Sequence, residues 1–368
     1  MTHILFLIRD LESGGAQRQL ITLVNGLDKT RFQVTLVTFY VGGSLAHEVA
    51  AEPGVTLRSL HKQGRWDNLA ALLRLWRLVR QVQPDILHGY LNIANLFTLL
   101  VGKATGRRVV WGLRNTIQGL TWTEKVAFRL CARLSRLPHA IIVNSQAGMH
   151  YHTAEGYSPH RMAVIPNGIN TARFRPDATA GAAMRTAWGV APETLLIGKV
   201  SRLEPLKDHA TFFAAAALLA QQRADVQFIC IGSGTPEYTL KLRQQVAQLG
   251  IAAHVRWVDG CDDMPAVYNS LDIATLASVS EGFPNVVGEA MACGVPCVVT
   301  DVGDAALIVG ETGVVVPPGN ARALAAGWLM ALATDTPMQR AQQWQRIVQH
   351  FSMQRMVQHT ESVLGALR

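Results

Sequence analysis

Short, uninterrupted apolar runs alternate along this chain with longer segments whose apolar positions recur every three or four residues. The short runs predict buried strands: His3–Ile8, Phe32–Phe39, Val55–Leu60, Asp85–His88, Arg108–Leu113, Ala140–Val143 and Ala163–Ile165. Between them the helical period is clearest at Ala16–Leu27, Asn68–Gln81, Ile93–Thr105 and Thr123–Leu137. Strands apolar on both faces, each separated from the next by a helix, predict a parallel sheet covered on both sides. The stretch Val164-Ile-Pro166-Asn167-Gly168-Ile-Asn170 then breaks the pattern with proline and glycine, which places a linker near Asn167 to Asp177. Beyond it the alternation restarts at Leu195–Val200, Val226–Cys230, Val255–Trp257, Ile273–Leu276, Val295–Val299 and Val314–Val316. The fold class is therefore α/β, with two Rossmann-like, doubly wound parallel-sheet domains at about residues 1–170 and 171–351.

Composition agrees with two ordinary cores, since hydrophobic residues make up 49% of 368 and charged residues 16%. The formal charge of +8 is uneven. Residues 1–170 carry 19 Lys and Arg against 9 Asp and Glu, which is +10 and leaves −2 for the remainder. Much of the excess falls on two helical segments. Arg74, Arg77 and Arg80 gather on one, and Lys125, Arg129, Arg133 and Arg136 share a face of the other. Trp66, Trp76 and Trp122 accompany them. Such stripes are commonly a solvated surface, but two in one basic half point to anionic lipid or a lipid diphosphate. No nucleic-acid recognition motif accompanies the charge. The five cysteines lack Cys-x2-Cys spacing and read as core residues of a reducing compartment. The opening segment reaches Arg9-Asp10 at once, unlike a signal peptide, and no stretch reads as a membrane span.

The richest chemistry lies at residues 278–304. A strand runs into a loop with Glu281, Gly282, Phe283 and Pro284; a helix starts near Asn285 and stops at Gly294; another strand follows. Open α/β sheets bind ligands at such strand ends. Glu281 is placed to face a ligand freely, and Glu289 lies on the first helical turns, close to N–H groups that favour anions. A ligand offering hydroxyls to carboxylates and phosphate to N–H groups is a sugar nucleotide. An isolated pair of this kind would read as a solvated acid and a helix-dipole complement. Earlier, Ser201-Arg202-Leu-Glu-Pro-Leu-Lys207-Asp208 sets two cations beside a helix start, a pattern suited to a diphosphate. Gly232-Ser-Gly234 allows close backbone approach, and Asp263 after Val258-Asp259-Gly260 reads as a helix cap. In the first half, Gly14-Gly15 are adjacent rather than spaced Gly-x-Gly-x-x-Gly, and the second strand ends Thr38-Phe39-Tyr40 without an acid. A nicotinamide dehydrogenase is thereby disfavoured.

Glu281-Gly-Phe-Pro-Asn followed by Glu289-Ala-Met-Ala-Cys-Gly-Val-Pro closely resembles the signature of family-4 glycosyltransferases. That resemblance implies the GT-B fold, two Rossmann domains facing a central cleft, and transfer that retains anomeric configuration. It implies that Glu281 contacts the donor sugar and Glu289 the ribose, with Gly282, Phe283, Pro284 and Asn285 in the donor site. Arg202 and Lys207 match the donor-phosphate cations, although Asp208 stands where glycine is more usual. Gly14, Gly15 and Gly232 match glycine-rich ligand loops, and Val258 the base-binding strand end. Relatives commonly show His-x-His where this chain has His88-Gly-Tyr90, so either His88 or one of Tyr90 and Asn92 takes the sugar contact. Arg114, in Gly112-Leu-Arg114-Asn115, is a candidate for an acceptor phosphate. The terminal run 352–368 is expected to cross back to the first domain, as in many relatives.

The function expected is hexosyl or N-acetylhexosaminyl transfer from a nucleoside-diphosphate sugar, with UDP preferred to GDP. The acceptor expected is a glycan, polyprenyl-diphosphate-linked, in bacterial surface polysaccharide or lipopolysaccharide synthesis. The place of action expected is the cytoplasmic face of the membrane, peripherally attached, with no cofactor and no metal requirement. Two alternatives are a sugar-nucleotide epimerase of related fold, which needs no acceptor, and a two-lobed binding or scaffold protein with a degenerate site.

Overall fold

A computed structural model describes residues 1–12, 14–50, 52–64, 66–114 and 121–367. The chain forms two compact units, residues 1–168 together with 353–368, and residues 169–352.

The first unit is built on seven strands: β1 Thr2–Ile8, β2 Phe32–Thr38, β3 Val55–Ser59, β4 Ile86–Tyr90, β5 Arg108–Leu113, β6 Ala140–Val143 and β7 Met162–Val164. All are parallel, in the order β3-β2-β1-β4-β5-β6-β7. Alternation along β1 sends Ile4, Phe6 and Ile8 into one apolar layer and Leu5 and Leu7 into the opposite one. Both faces are covered, so the strand reads as continuously apolar. The helix Met353–Gly365 closes one face against the helix Gly15–Gly26. Its Glu361 accepts the Asp28 N–H at 2.8 Å and pairs with Arg31 at 2.8 Å.

The second unit has six parallel strands: β8 Leu195–Val200, β9 Val226–Ile231, β10 Val255–Val258, β11 Ile273–Leu276, β12 Cys297–Thr300 and β13 Val314–Val316. Their order is β10-β9-β8-β11-β12-β13. Several strand and helix boundaries differ from expectation by one to three residues, two of them for clear local reasons. The strand expected from Val295 starts at Cys297, because the Val295 N–H closes the preceding helix on Ala290 and Pro296 has no N–H to give. That helix, Asn285–Ala292, ends on Gly294 at φ +73°, the left-handed position that glycine tolerates. The helix expected to reach Leu137 spans Trp122–Leu134, opened by a capping box between Thr121 and Glu124. It stops where the Ser135 N–H and hydroxyl both turn back to the Ala132 carbonyl.

In each sheet the strand order reverses once, between β1 and β4 and between β8 and β11. Loops leaving the carboxyl ends of such a strand pair splay apart, which makes these two places the natural ligand crevices of the fold.

Candidate active site

In the second unit, the loop after β8 carries Arg202 and Lys207, and the loop after β11 carries Glu281. The two loops are tied by the Val279 N–H donating to the Leu206 carbonyl at 3.0 Å. Lys207 Nζ donates to Glu281 Oε1 at 2.6 Å, and Ser278 Oγ donates to the same oxygen at 2.7 Å. Ser278 is fixed in turn, since its carbonyl accepts from Thr300 Oγ1 at 2.7 Å. The pair is mostly enclosed, with side-chain exposure of 19% for Lys207 and 12% for Glu281. Glu281 is therefore not the free loop acid its position predicted. It is held in a charge-assisted pair at the switch point of the sheet.

Arg202 contrasts with Lys207. Its side chain is 77% exposed and touches only Glu204, at 3.1 Å, among its described ion pairs. Asp208, where glycine is more usual, has φ +45° and ψ 58°. Aspartate tolerates this left-handed conformation better than most residues, and its carboxylate caps the helix His209–Ala220 by accepting the Thr211 N–H at 3.1 Å. Asp208→Gly should accordingly cost only a few tenths of a kcal/mol, whereas Asp208→Ala loses the cap while keeping the strain and should cost about 2 kcal/mol. Equal denaturation midpoints for the two variants would refute this reading.

Glu289 is held in place as well. It lies in the second turn of Asn285–Ala292, past the helix start, and accepts from the Tyr268 hydroxyl at 2.9 Å. Burial and the adjacent carboxylate push the Tyr268 phenol well above its ordinary range, so it stays a donor. Phe283 is packed in the core 5.7 Å from the Phe351 ring, Pro284 is the residue before the helix, and Asn285 is its first residue. The Gly282 carbonyl accepts the Asp304 N–H at 2.8 Å, joining the glutamate loop to the loop after β12. Gly232 has φ +138°, and a Cβ there would lie 2.0 Å from the Ser201 carbonyl oxygen. Its close approach is thus to the arginine–lysine loop itself. Its N–H binds the Val258 carbonyl at 2.8 Å, at the end of β10.

In the first unit, the switch point gathers the other predicted residues but encloses them. His88 is fully buried on β4, its ring 5.1 Å from Phe6 and 4.9 Å from Tyr90. Neither ring nitrogen has a partner among the described residues, and burial, then Arg114, lowers its pKa to about 3. The imidazole is neutral and inward-facing. Tyr90 and Asn92 are likewise buried. Arg114 lies 4.9 Å over the Tyr90 ring, donates to its hydroxyl at 3.3 Å and to Asn167 Oδ1 at 2.6 Å. This guanidinium is engaged within its own unit rather than held out for a phosphate. Gly14 is extended, at φ −161°, and caps the helix that Gly15 opens, so no left-handed backbone requires glycine at Gly14. Ser13 and Asn115, part of these two predicted loops, lie outside the described residues.

Sequence reasoning passed over Ser278, Tyr268 and Lys199. The last had a signal: a lysine inside the apolar run Leu195–Val200 of a central parallel strand.

Comparison with known proteins converges on one group. The profile described as Glycosyltransferase Family 4 matches residues 13–173, and that described as Glycosyl transferases group 1 matches residues 194–334. The chain is 23% identical over 305 residues to the Bacillus subtilis protein named "Putative glycosyltransferase EpsF", covering 81% of this chain and 79% of that one. It is 22% identical over 245 residues to an Escherichia coli UDP-Gal:alpha-D-GlcNAc-diphosphoundecaprenol alpha-1,3-galactosyltransferase, covering 64% of this chain and 62% of that one. Among solved structures, Anabaena HepE in complex with UDP superposes with a TM-score of 0.86 at 23% identity, over 100% of both chains.

Proposed function

We propose, from the premise that the chain belongs to the family-4 glycosyltransferases and has the GT-B fold, that it transfers a hexosyl or N-acetylhexosaminyl group from a UDP-sugar with retention of configuration. The acceptor in this reading is a lipid-linked glycan of a bacterial surface polysaccharide. The observation that carries the donor assignment is the Lys207–Glu281 pair at the β8/β11 switch point. Lys207 and the exposed Arg202 take the diphosphate and stabilise the charge it gains on leaving. Glu281 orients the sugar and offsets positive charge developing at its anomeric carbon. Glu289, steadied by Tyr268, accepts from the ribose hydroxyls. Two protein cations do for the diphosphate what a divalent ion does elsewhere, so no metal requirement is expected. Relatives support the reading at both ends: one carries a diphosphoundecaprenol acceptor in its name, and HepE, solved with UDP-glucose, supports the donor class. Release of UDP from UDP-sugars, measured with and without undecaprenyl-diphosphate-linked glycans, is the test. UDP release equal in both arms would remove the transferase reading, and binding without turnover would favour a scaffold.

The site of action is part of the same proposal. Among the described residues no helix is long and apolar enough to cross a membrane. The helix Trp122–Leu134 and the two residues flanking its end nevertheless expose a cationic row, Lys125, Arg129, Arg133 and Arg136, beside an apolar row, Trp122, Val126 and Leu130. Trp122 is 78% exposed. The helix Asn92–Thr105, which exposes Ile93 and Leu100, packs between this helix and Asn68–Val82, which exposes Leu69, Leu73, Arg77 and Arg80. Arg74 is taken by Asp67, and Trp76 lies partly buried under Arg80. Apolar and basic rows side by side suit the surface of an anionic bilayer, where each basic residue contributes about 1 kcal/mol within a Debye length. Changing Lys125, Arg129 and Arg133 together to Glu should abolish flotation with anionic vesicles at low salt. Undiminished flotation of that variant would make a soluble acceptor the better reading.

A further inference from the structure

One buried charge at the donor site has no place in the mechanism above. Lys199 stands on β8, one residue from the start of the loop that carries Arg202 and Lys207, and is 1% exposed. Strand alternation puts it on the same face as Leu195 and Ile197, whose surroundings are the apolar helix His209–Ala220. Its Nζ has no hydrogen-bond partner among the described residues. Enclosing an ammonium without an acceptor is among the most unfavourable things a core can do, and such a group persists where surrounding charge gives it a use.

Among the described residues, the titratable and charged groups that act on it are Cys230 on β9, Glu281 after β11, and Lys207 and Asp208 after β8, and it acts in turn on His209 of the helix that follows. The Asp208 carboxylate is occupied in capping that helix. His209 is neutral, lowered to about 3 by burial and by Lys199 and Lys207, and bonds Ser201 Oγ through Nε2 at 3.1 Å. The Cys230 thiol is pushed up to about 12 by burial. Of the two carboxylates that act on Lys199, Glu281 acts more strongly than Asp208. Both described bonds to Glu281 fall on Oε1, from Lys207 and Ser278.

The donor diphosphate competes with Glu281 for Lys207, one of whose three N–H donors is committed to Glu281 Oε1 at 2.6 Å. When it turns to the phosphate, Glu281 is left nearly enclosed without its ion partner. We propose that Lys199 is a positioning residue of the donor site, the buried cation that keeps Glu281 compensated and in place while Lys207 serves the diphosphate. This rests on the donor reading given above. Desolvation brings the Lys199 amine down to about 8, with Glu281 acting against that shift and Lys207 with it. Anionic donor entering the site strengthens its hold on a proton, so binding near pH 8 must draw a proton from solution.

The test is calorimetry of the full chain with UDP, or GDP where UDP gives no heat, in pH 8 buffers of different ionisation enthalpy. At this pH the diphosphate is already fully ionised and contributes no proton change of its own. Wild type should take up roughly 0.4 proton if the amine rises by about one pKa unit, and close to none at pH 6.5. In Lys199→Met the uptake should vanish, and kcat should fall at least tenfold while the donor KM changes less than threefold. A residue of merely structural importance would leave the proton count unmoved. Binding by wild type without uptake at pH 8, or uptake persisting in the variant, overturns the inference and leaves the donor reading standing. If Lys199→Met does not fold, the wild-type proton count against pH decides alone. Wild type that binds neither diphosphate overturns the donor reading and this inference with it.

Discussion

Lys207→Ala is expected to weaken binding of the donor diphosphate about 10- to 150-fold and, in the same protein, to destabilise the second unit by about 1–3 kcal/mol, the loss that remains with Lys199 still acting on Glu281. The first effect follows from deleting a charge-assisted bond to phosphate, worth about 1.5–3 kcal/mol, together with the point charge that stabilises the leaving group. The second follows from the resting structure. Glu281 and Lys207 are each less than a fifth exposed, and removing the ammonium leaves the carboxylate with Ser278 as its described hydrogen-bond partner. A surface pair would give almost nothing on truncation, so the size of the stability loss reports how enclosed this one is. Adding Glu281→Gln to Lys207→Ala should restore most of the stability, since the stranded charge is gone, and none of the activity. Glu281→Gln alone should depress turnover with diphosphate affinity nearly intact, and Arg202→Ala should weaken binding without affecting stability. Denaturant unfolding and calorimetry on the four proteins separate these outcomes. Wild-type diphosphate affinity in Lys207→Ala would end its assignment as the phosphate cation.

The chain's strands were legible because each is apolar on both faces and bounded by turn residues; Arg108–Leu113 and Leu195–Val200 could be placed to the residue. Boundaries failed where a local hydrogen bond decided them, as at Ser135 and Val295, and periodicity carries no trace of such bonds. The residues around the β8/β11 switch point were legible for a different reason. Arg202, Lys207, Glu281 and Glu289 are polar groups at strand ends in an otherwise apolar pattern. What linear order could not supply is their mutual engagement: that Lys207 is already paired with Glu281, that Tyr268 steadies Glu289, and that Arg114 turns to Tyr90 and Asn167. His88 shows the opposite difficulty. A histidine at a strand end invites a functional reading, yet β4 runs on to Tyr90, and alternation directs the ring inward beside Phe6.

Lys199→Met should make the protein more stable at neutral pH, by about 3 kcal/mol, even as it impairs transfer. The sign follows from the direction of the shift. In the folded state desolvation brings the amine down from its ordinary value of 10.5 to about 8. The unfolded chain therefore binds more protons than the native one between those two values, and wild-type stability rises with pH across that interval. Below pH 8 both states are protonated and the whole penalty of enclosing the cation is present; 2.5 pKa units at about 1.4 kcal/mol each set its size. Methionine fills nearly the same volume with no charge to desolvate, so it escapes that penalty at every pH. The two proteins should then differ most below pH 8, converge through pH 8 to 10.5, and unfold alike above it. At neutral pH the difference corresponds to a rise in Tm of about 6–12 °C for a unit of this size. Thermal unfolding in steps from pH 6.5 to 10.5 gives the whole curve. A Met variant less stable than wild type at pH 7, or a gap that ignores pH, would show that the lysine is tolerated at no cost. A gap that closes on schedule would mean that stability is given up at this position for a buried charge beside the donor-site loops, the pattern expected where function, rather than folding, keeps a residue in the core.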